Sequence, residues 1–293
     1  MTTRVWTVKD ALEWTVEFLG RKSDEHPRRS AEWLLSAATG LSRVQLYAFH
    51  DRPLSPDERA RYRALVARRA EGMPLQYVTG EMPFRHLIIH VEPGVFIPRP
   101  ETEVLVDVAL EAIRGLPRPI VIDLCTGSGC VAASIAAESP EARVWAVDQS
   151  ASAVAAARRN VLHAKVSDRV QVVHGDLFDP LPGELAGTVD LIVSNPPYIP
   201  SSDLPDIPVE VLGFEPREAL DGGPDGLDVF RRITADAPGW LAPAGALALE
   251  LDEARVGAAA GELRDGYECI EVRKDLTGRD RIVFGRKGKA MQS

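Results

Sequence analysis

The chain has 293 residues, of which 45% are hydrophobic and 26% charged, a composition typical of a globular protein with one large or two modest domains. A net charge of −9 argues against nucleic-acid binding through bulk positive charge, and no apolar run approaches the roughly 20 residues that span a bilayer. The first residues lack the apolar core of a signal peptide, and the three cysteines show no metal-site spacing, so we expect a cytoplasmic protein without a metal site.

Residues 1–74 are predicted to form a helical N-terminal domain. Thr7 begins a capping pattern ahead of the first helix, the second helix stops at Gly40, and Ser55, followed by proline, begins the third. The third helix carries five arginines: Arg59, Arg61, Arg63, Arg68 and Arg69. They are interpreted either as a solvated charged face or as a docking surface for an acidic partner or RNA.

A β-hairpin is predicted over residues 75–97 as a linker between domains, with Pro93 and Gly94 at its turn. A second domain is expected over residues 98–287, and residues 288–293 are expected to form a tail.

The second domain alternates short apolar strands with helices, the pattern of an α/β fold whose doubly wound, Rossmann-like sheet is mostly parallel. The predicted strands are 120–124, 143–148, 170–174, 189–194, 246–250, 270–273 and 281–284. Ligands of such sheets bind beyond the carboxyl ends of the strands. The loop at 125–129, Asp148, Asp176 and Asn195 all follow predicted strands, so we expect them to lie at one edge.

The strand at 189–194 runs into the tetrapeptide Asn195-Pro196-Pro197-Tyr198. The two prolines cannot continue a sheet, so the strand should end with the Asn195 carboxamide at its carboxyl end. This arrangement suits a planar NH2 group, because the Asn195 side-chain oxygen and the Pro196 carbonyl can accept its two hydrogens while Tyr198 packs on its plane. For Asn-Pro-Pro alone, an ordinary strand followed by a proline turn is the alternative.

The loop after the first strand of this domain predicts a nucleotide-like cofactor. Gly127 and Gly129 with Ala132 fit the dinucleotide pattern G-x-G-x-x-G/A, and Asp148 lies where an acidic residue binds a ribose, so an NAD enzyme is an alternative. The Asp123 carboxylate better suits a cationic ligand without phosphate, which favours S-adenosylmethionine. The residues expected to contact S-adenosylmethionine are Cys125, Thr126, Gly127, Ser128, Gly129, Asp148, Asp176, Leu177 and Asn195.

Residues 123–129 together with 195–198 resemble class I S-adenosylmethionine methyltransferases that act on an exocyclic or amide nitrogen. Residues 72–77, 96–103 and 215–220 further resemble the release factor glutamine N5-methyltransferases, and this resemblance covers nearly the whole chain. It implies a glutamine in the Gly-Gly-Gln motif of class I peptide chain release factors as methyl acceptor. On its position alone, the N-terminal domain is expected to recognise the substrate. The implied catalytic residues are Asn195, Pro196 and Tyr198, and the implied substrate-binding residues are Asn195, Pro196, Pro197 and Tyr198.

Three other functions remain as alternatives: glutamine methylation of a ribosomal protein, DNA adenine methylation, and non-catalytic binding of the ribosome or a factor. The net charge and the lack of a DNA-recognition module weigh against direct DNA binding. The chain also departs from the family pattern. Many members have glycine at the position of Cys125, where we expect a negative φ and room for a small side chain. After Glu250 the expected glycine and glutamine are missing, and no role is assigned there.

Overall fold

The computed structural model describes residues 5–263 and 266–288. The chain divides into two compact units, one comprising Met1–Glu81 with Val209–Phe214 and the other Met82–Pro208 with Glu215–Ser293. Within the described residues, no helix is both long enough and apolar enough to cross a membrane.

The first unit is helical, as predicted. Its helices are α1 (Val8–Gly20), α2 (Pro27–Thr39), α3 (Arg43–Ala48), α4 (Pro56–Ala70) and α5 (Leu75–Thr79), with a single further turn at Val209–Leu212. The predicted caps are confirmed: the Thr7 and Ser55 hydroxyls each accept a hydrogen bond from the third main-chain N–H of their helix. Gly40 ends α2 with a left-handed φ of 74°. The short helices α3 and α5 were not predicted.

The five arginines of α4 do not form one uniform solvated face. Arg69 forms ion pairs with Asp24 and Glu210, each with an N–O distance of 2.7 Å. Arg61 and Arg68 donate hydrogen bonds to main-chain carbonyls of neighbouring segments. These three arginines therefore hold the helical unit together.

The second unit contains a small hairpin and a large sheet flanked by helices. Its elements are β1 (Glu81–Phe84), β2 (Leu87–His90), α6 (Thr102–Ala112), β3 (Ile120–Leu124), α7 (Cys130–Glu138), β4 (Arg143–Asp148), α8 (Ala151–His163), β5 (Val170–His174), β6 (Val189–Ser194), α9 (Asp228–Trp240), β7 (Leu241–Glu250), α10 (Glu253–Glu262), β8 (Tyr267–Lys274) and β9 (Asp280–Lys287). Strand β1 begins at the last residue of the first unit.

A hairpin lies within the predicted range 75–97, but its turn is at Arg85, which has a φ of 52°, and not at Pro93 and Gly94. Residues 75–79 form helix α5 instead of a strand. Pro93 and Gly94 do form a turn, but residues 95–97 pair with no strand. The first compact unit accordingly extends to Glu81 and not to the predicted boundary at residue 74.

The large sheet has the strand order β5-β4-β3-β6-β7-β9-β8. Strands β3 to β7 pair in parallel, and β9 runs antiparallel to both β7 and β8. The predicted, mostly parallel α/β sheet is therefore confirmed. Its direction of winding reverses between β3 and β6, the point at which such sheets bind ligands. Of the predicted tail at 288–293, residues 289–293 lie outside the described part of the chain.

Candidate active site

The tetrapeptide at residues 195–198 lies at the carboxyl end of β6, in the middle of the sheet. The β6 strand stops at Ser194, as the two prolines predicted. Ser194 pairs with Leu124 at the end of β3 on one side and with Leu249 near the end of β7 on the other. Asn195 is therefore flanked by the ends of two neighbouring strands, next to the loop that follows β3.

A buried hydroxyl orients the Asn195 carboxamide. The Asn195 Nδ2 donates a hydrogen bond of 3.2 Å to the Oγ1 of Thr102, the first residue of α6, which is buried. With its NH2 group on Thr102, the carboxamide turns its oxygen the other way, where it can accept a hydrogen bond from a ligand. That this oxygen accepts a hydrogen bond from the substrate stays a prediction. Thr102 was not among the predicted catalytic, substrate-binding or cofactor-binding residues.

Two glycines of a later loop pack directly on the backbone of the tetrapeptide. A Cβ on Gly222 would lie 2.8 Å from the Pro197 carbonyl oxygen, and a Cβ on Gly226 would lie 2.3 Å from the Tyr198 carbonyl oxygen. Main-chain hydrogen bonds join the same segments, with the Gly222 N–H donating to the Ile199 carbonyl at 2.8 Å. The loop fixes the shape of the tetrapeptide, which accounts for glycines in this part of the chain.

An ion pair with a buried carboxylate joins two further segments that carried the resemblance, residues 96–103 and 215–220. Glu215, buried, accepts a 2.6 Å hydrogen bond from Arg99 Nη2 and a 3.3 Å hydrogen bond from the Ile97 N–H. The Arg99 guanidinium also lies over the Phe96 ring, 4.7 Å from its centroid. The segment ahead of α6 is thereby anchored to the segment that follows the tetrapeptide. Both partners of this pair were contained in sequence motifs, but their contact was not predicted.

Asp123 shapes the glycine loop from inside. Its Oδ2 accepts hydrogen bonds from the Thr126 hydroxyl at 2.5 Å and from the Ala132 N–H at 3.1 Å. Burial raises the pKa of the Asp123 carboxyl to about 7, although these two hydrogen bonds lower it. In this structure Asp123 thus ties the loop to the start of α7, a role that the sequence did not predict.

Gly127 of the loop and Asp148 at the end of β4 form the part of the site best suited to a cofactor. The Gly127 N–H donates to Asp148 Oδ2 at 2.8 Å, and the other Asp148 oxygen accepts from the Ser150 N–H at 2.9 Å. Burial raises the pKa of Asp148, which these hydrogen bonds oppose. Gly127 has a φ of 57° and no atom within 4 Å of where its Cβ would be, so a ligand can approach the backbone there. An acidic group beside an open glycine loop fits a ribose-containing cofactor.

Two other predicted cofactor residues follow β5. Asp176 forms a 2.7 Å ion pair with Arg232 and its side chain is 43% exposed. Leu177 is buried with a φ of 45°. Their contact with an adenine stays a prediction.

Cys125 adopts a conformation opposite to the one we expected. Its φ is 55°, in the left-handed region, and not negative. A side chain in this region costs about 1–2 kcal/mol because Cβ approaches the following carbonyl oxygen, so glycine would be favoured here. Burial raises the pKa of the Cys125 thiol to about 12, which keeps the thiol protonated and unreactive.

We expect the Cys125→Gly variant to be more stable than Cys125→Ala by about 1 kcal/mol. Both variants lack the thiol, but only alanine keeps the strain, which outweighs the extra chain entropy of glycine in the unfolded state. Calorimetric unfolding of the two variants measures the difference. A more stable alanine variant would show that the backbone at residue 125 is not strained.

Two domain families match the sequence. The family model of the PrmC N-terminal domain matches residues 10–80, and that of the methyltransferase small domain matches residues 86–208. A release factor glutamine methyltransferase of Geobacter sulfurreducens is 46% identical to the chain, over 97% of the chain and 98% of that protein. One of Rhodopirellula baltica is 42% identical, over 96% of the chain and 97% of that protein.

Solved structures of methyltransferases share the fold. The hMettl16 catalytic domain, in complex with an RNA hairpin, superposes with a TM-score of 0.56 at 19% identity and covers 76% of this chain and 81% of its own. The T. thermophilus 16S rRNA N2 G1207 methyltransferase superposes with a TM-score of 0.51 at 20% identity, over 71% of this chain and 50% of its own. At such identities the likeness concerns the fold alone.

Proposed function

The chain belongs to the release factor glutamine methyltransferases, and we propose that it transfers a methyl group from S-adenosylmethionine to the side-chain amide nitrogen, N5, of the glutamine in the Gly-Gly-Gln motif of class I peptide chain release factors. The observation that carries the proposal is the Asn195 carboxamide, whose NH2 group is held by Thr102 so that its oxygen is directed away as an acceptor. Such a substrate places the reaction in the cytoplasm, where translation ends.

The chemistry required is activation of a weak nucleophile. The lone pair of an amide nitrogen is delocalised into its carbonyl group, so the site must hold the nitrogen in line for attack. The Asn195 side-chain oxygen and the Pro196 carbonyl accept the two amide hydrogens and so stabilise the positive charge that develops on the nitrogen. Tyr198 packs on the plane of the amide. Burial raises the pKa of the Tyr198 hydroxyl, so it stays neutral and serves as a flat face rather than as a base.

The cofactor supplies an electrophilic methyl group on a sulfonium. Residues 125–129 would approach it through their backbone, and Asp148 would hold its ribose. Asp176 and Leu177 would lie beside its adenine. No strong base is needed before attack, because the amide proton becomes acidic once the methyl group has been transferred and can then pass to water. The proposed mechanism accordingly uses no histidine.

The helical unit is proposed to recognise the release factor. It contains an apolar cavity of about 290 Å³ whose lining includes Trp14, 44% exposed, together with Arg59 and Arg63. Arg59 lies over the Trp6 ring at 5.9 Å. The lining of this cavity thus combines aromatic surface with the positive charges of Arg59 and Arg63. This combination suits an apolar segment flanked by acidic residues.

Reversing the charge of both Arg59 and Arg63 to glutamate is expected to raise KM for intact release factor by roughly tenfold with little change in kcat, because a rim charge acts mainly on encounter. The matched control is Arg29→Glu, since Arg29 is an exposed arginine on another helix of the same unit. Steady-state kinetics with intact release factor provides the measurement. An unchanged KM in the double variant would remove these arginines from the recognition surface.

The assignment of the substrate is tested by transfer of labelled methyl from S-adenosylmethionine. The acceptors compared are intact release factor, the same factor with the motif glutamine changed to alanine, ribosomal proteins and DNA. We expect label on intact release factor only. Label that persists after the glutamine change, or that appears only on ribosomal protein or DNA, would retain the methyltransferase activity but overturn the acceptor. Absence of both cofactor binding and transfer would favour a non-catalytic binding protein.

A further inference from the structure

Glu250 carries a buried carboxyl group next to the candidate active site. The proposed mechanism gives this group no role. Glu250 is the last residue of β7, and the pairing of Leu249 with Ser194 places it beside Asn195. Its exposed fraction is 1%, and its Oε2 has no hydrogen-bond partner within residues 5–263 and 266–288. Burying a carboxyl group in this way is costly, so its presence at this position calls for a role.

A hydroxyl connects Glu250 to Asn195. Burial raises the pKa of the Glu250 carboxyl to about 7, although interaction with the Thr102 hydroxyl lowers it. The same Thr102 oxygen accepts the 3.2 Å hydrogen bond from Asn195 Nδ2. Because Thr102 accepts from Asn195, its own single hydrogen is left for another acceptor, and the neighbouring Glu250 carboxyl is the group to which we assign it, which gives a series from Asn195 through Thr102 to Glu250.

The direction of this series follows from the number of hydrogens. A hydroxyl has one hydrogen to donate, and a carboxylate can only accept. With its hydrogen committed to Glu250, Thr102 can only accept from Asn195, which must therefore present its NH2 group to Thr102. If Thr102 donated to Asn195 instead, the carboxamide would rotate and present its NH2 group to the substrate NH2, and two donors would face each other.

We propose that Glu250 is a positioning residue for methyl transfer, which acts through the Thr102 hydroxyl to hold the Asn195 carboxamide with its oxygen toward the substrate amide. The inference rests on the proposed function of Asn195. It assigns a role to Glu250 that its sequence context did not indicate, and it explains why a hydroxyl begins α6.

The charges around Glu250 influence the pH range in which its carboxylate form is present. Arg281 and Arg99 favour its carboxylate form, whereas Glu101 disfavours it. The neutral Tyr198 and Cys130 side chains also face its charge. Protonation gives the carboxyl a hydrogen of its own, so it no longer dictates the direction of the Thr102 hydroxyl. We therefore expect the orienting effect to strengthen as the pH rises through about 7.

The chain offers a direct test because it contains only two asparagines, Asn160 and Asn195. Selective 15N labelling of asparagine side chains thus yields two NH2 groups in an NMR spectrum. Asn160 donates to the His90 and Ser128 carbonyls at 2.9 Å each and serves as the internal reference. We expect Thr102→Val and Glu250→Gln to shift the Asn195 signals in the same direction and to leave those of Asn160 in place. Thr102→Ser should restore the wild-type position.

The pH dependence of the same signals provides a second readout. In the wild-type protein the Asn195 signals should move with pH near 7 more than in Glu250→Gln, in which Asp123, also with a pKa of about 7, still titrates nearby. Asn195 signals that are the same in wild type and in Glu250→Gln at every pH would overturn the proposal. This spectrum does not depend on the substrate, so a failure of the proposed function and a failure of the positioning role are distinguishable.

Kinetics then measures the consequence. We expect Glu250→Gln and Thr102→Val each to lower kcat by roughly tenfold, with KM nearly unchanged, which corresponds to about 1.4 kcal/mol. Because both act through one series, the double variant should lose little more than either single variant. If the double variant lost kcat by the product of the two single losses, Glu250 and Thr102 would act independently, and the proposed series through Thr102 would be wrong. Thermal unfolding and cofactor titration of each variant show whether the fold has been retained.

Discussion

Replacing Asn195 by alanine should lower kcat for methyl transfer by about 100- to 1000-fold while binding of S-adenosylmethionine survives. The change removes one of the two acceptors proposed for the substrate amide, and loss of one oriented group at a developing charge typically costs a factor of this size. The cofactor retains the glycine loop and Asp148, whose contacts do not involve the Asn195 side chain. Single-turnover transfer of labelled methyl and calorimetric cofactor titration measure the two properties separately.

Asn195→Asp provides the matched control. Aspartate keeps an acceptor oxygen but has no NH2 group. It therefore lacks the 3.2 Å hydrogen bond that the wild-type Asn195 Nδ2 donates to Thr102 Oγ1. We expect a loss of activity smaller than that of alanine, because the acceptor remains while its orientation is no longer fixed. If Asn195→Ala lost cofactor binding and transfer together, the assigned role in substrate activation would be wrong.

The fold was largely predictable because its strands are bounded by local signals. Strands β3 to β6 are mostly apolar runs that end at, or within three residues of, a glycine, proline or acidic residue, and their predicted limits agree with the structure. The turn of the hairpin was misplaced because it depends on Arg85, a residue type without turn preference that adopts a φ of 52°. A left-handed conformation at such a residue is imposed by tertiary contacts: the Arg85 side chain pairs with Glu138 and Asp107.

The candidate site was predictable only where its residues are contiguous in sequence. The tetrapeptide and the glycine loop are local patterns with a chemical meaning, whereas Thr102 and Glu250 reach Asn195 from other parts of the chain. Nothing in the sequence distinguishes a buried glutamate from an exposed one. The φ of Cys125 was mispredicted for a related reason, since cysteine at that position suggested a negative φ that the loop does not adopt.

The contact between the tetrapeptide and the later glycine loop leads to a second large effect. Replacing Gly226 by alanine places a methyl group 2.3 Å from the Tyr198 carbonyl oxygen, a separation that the backbone cannot tolerate without moving. Because a displacement of about 1 Å at a reacting centre costs on the order of 100-fold in rate, we expect kcat to fall by at least that factor. Gly222→Ala should act similarly, as its Cβ would lie 2.8 Å from the Pro197 carbonyl oxygen.

Gly115→Ala separates displacement of the tetrapeptide from the cost of the backbone conformation. Gly115 and Gly226 have nearly the same φ, 79° and 82°, but a Cβ on Gly115 meets no atom within 4 Å. In both alanine variants, the left-handed backbone at the new side chain should therefore lower the free energy of unfolding by a similar amount, about 1–2 kcal/mol. Calorimetric unfolding can compare the two variants. Only Gly226→Ala should also lose methyl transfer. Equal activity in the two variants would mean that the tetrapeptide keeps its shape without close packing from this loop, and the geometry of Asn195 would then depend on β6 and Thr102 alone.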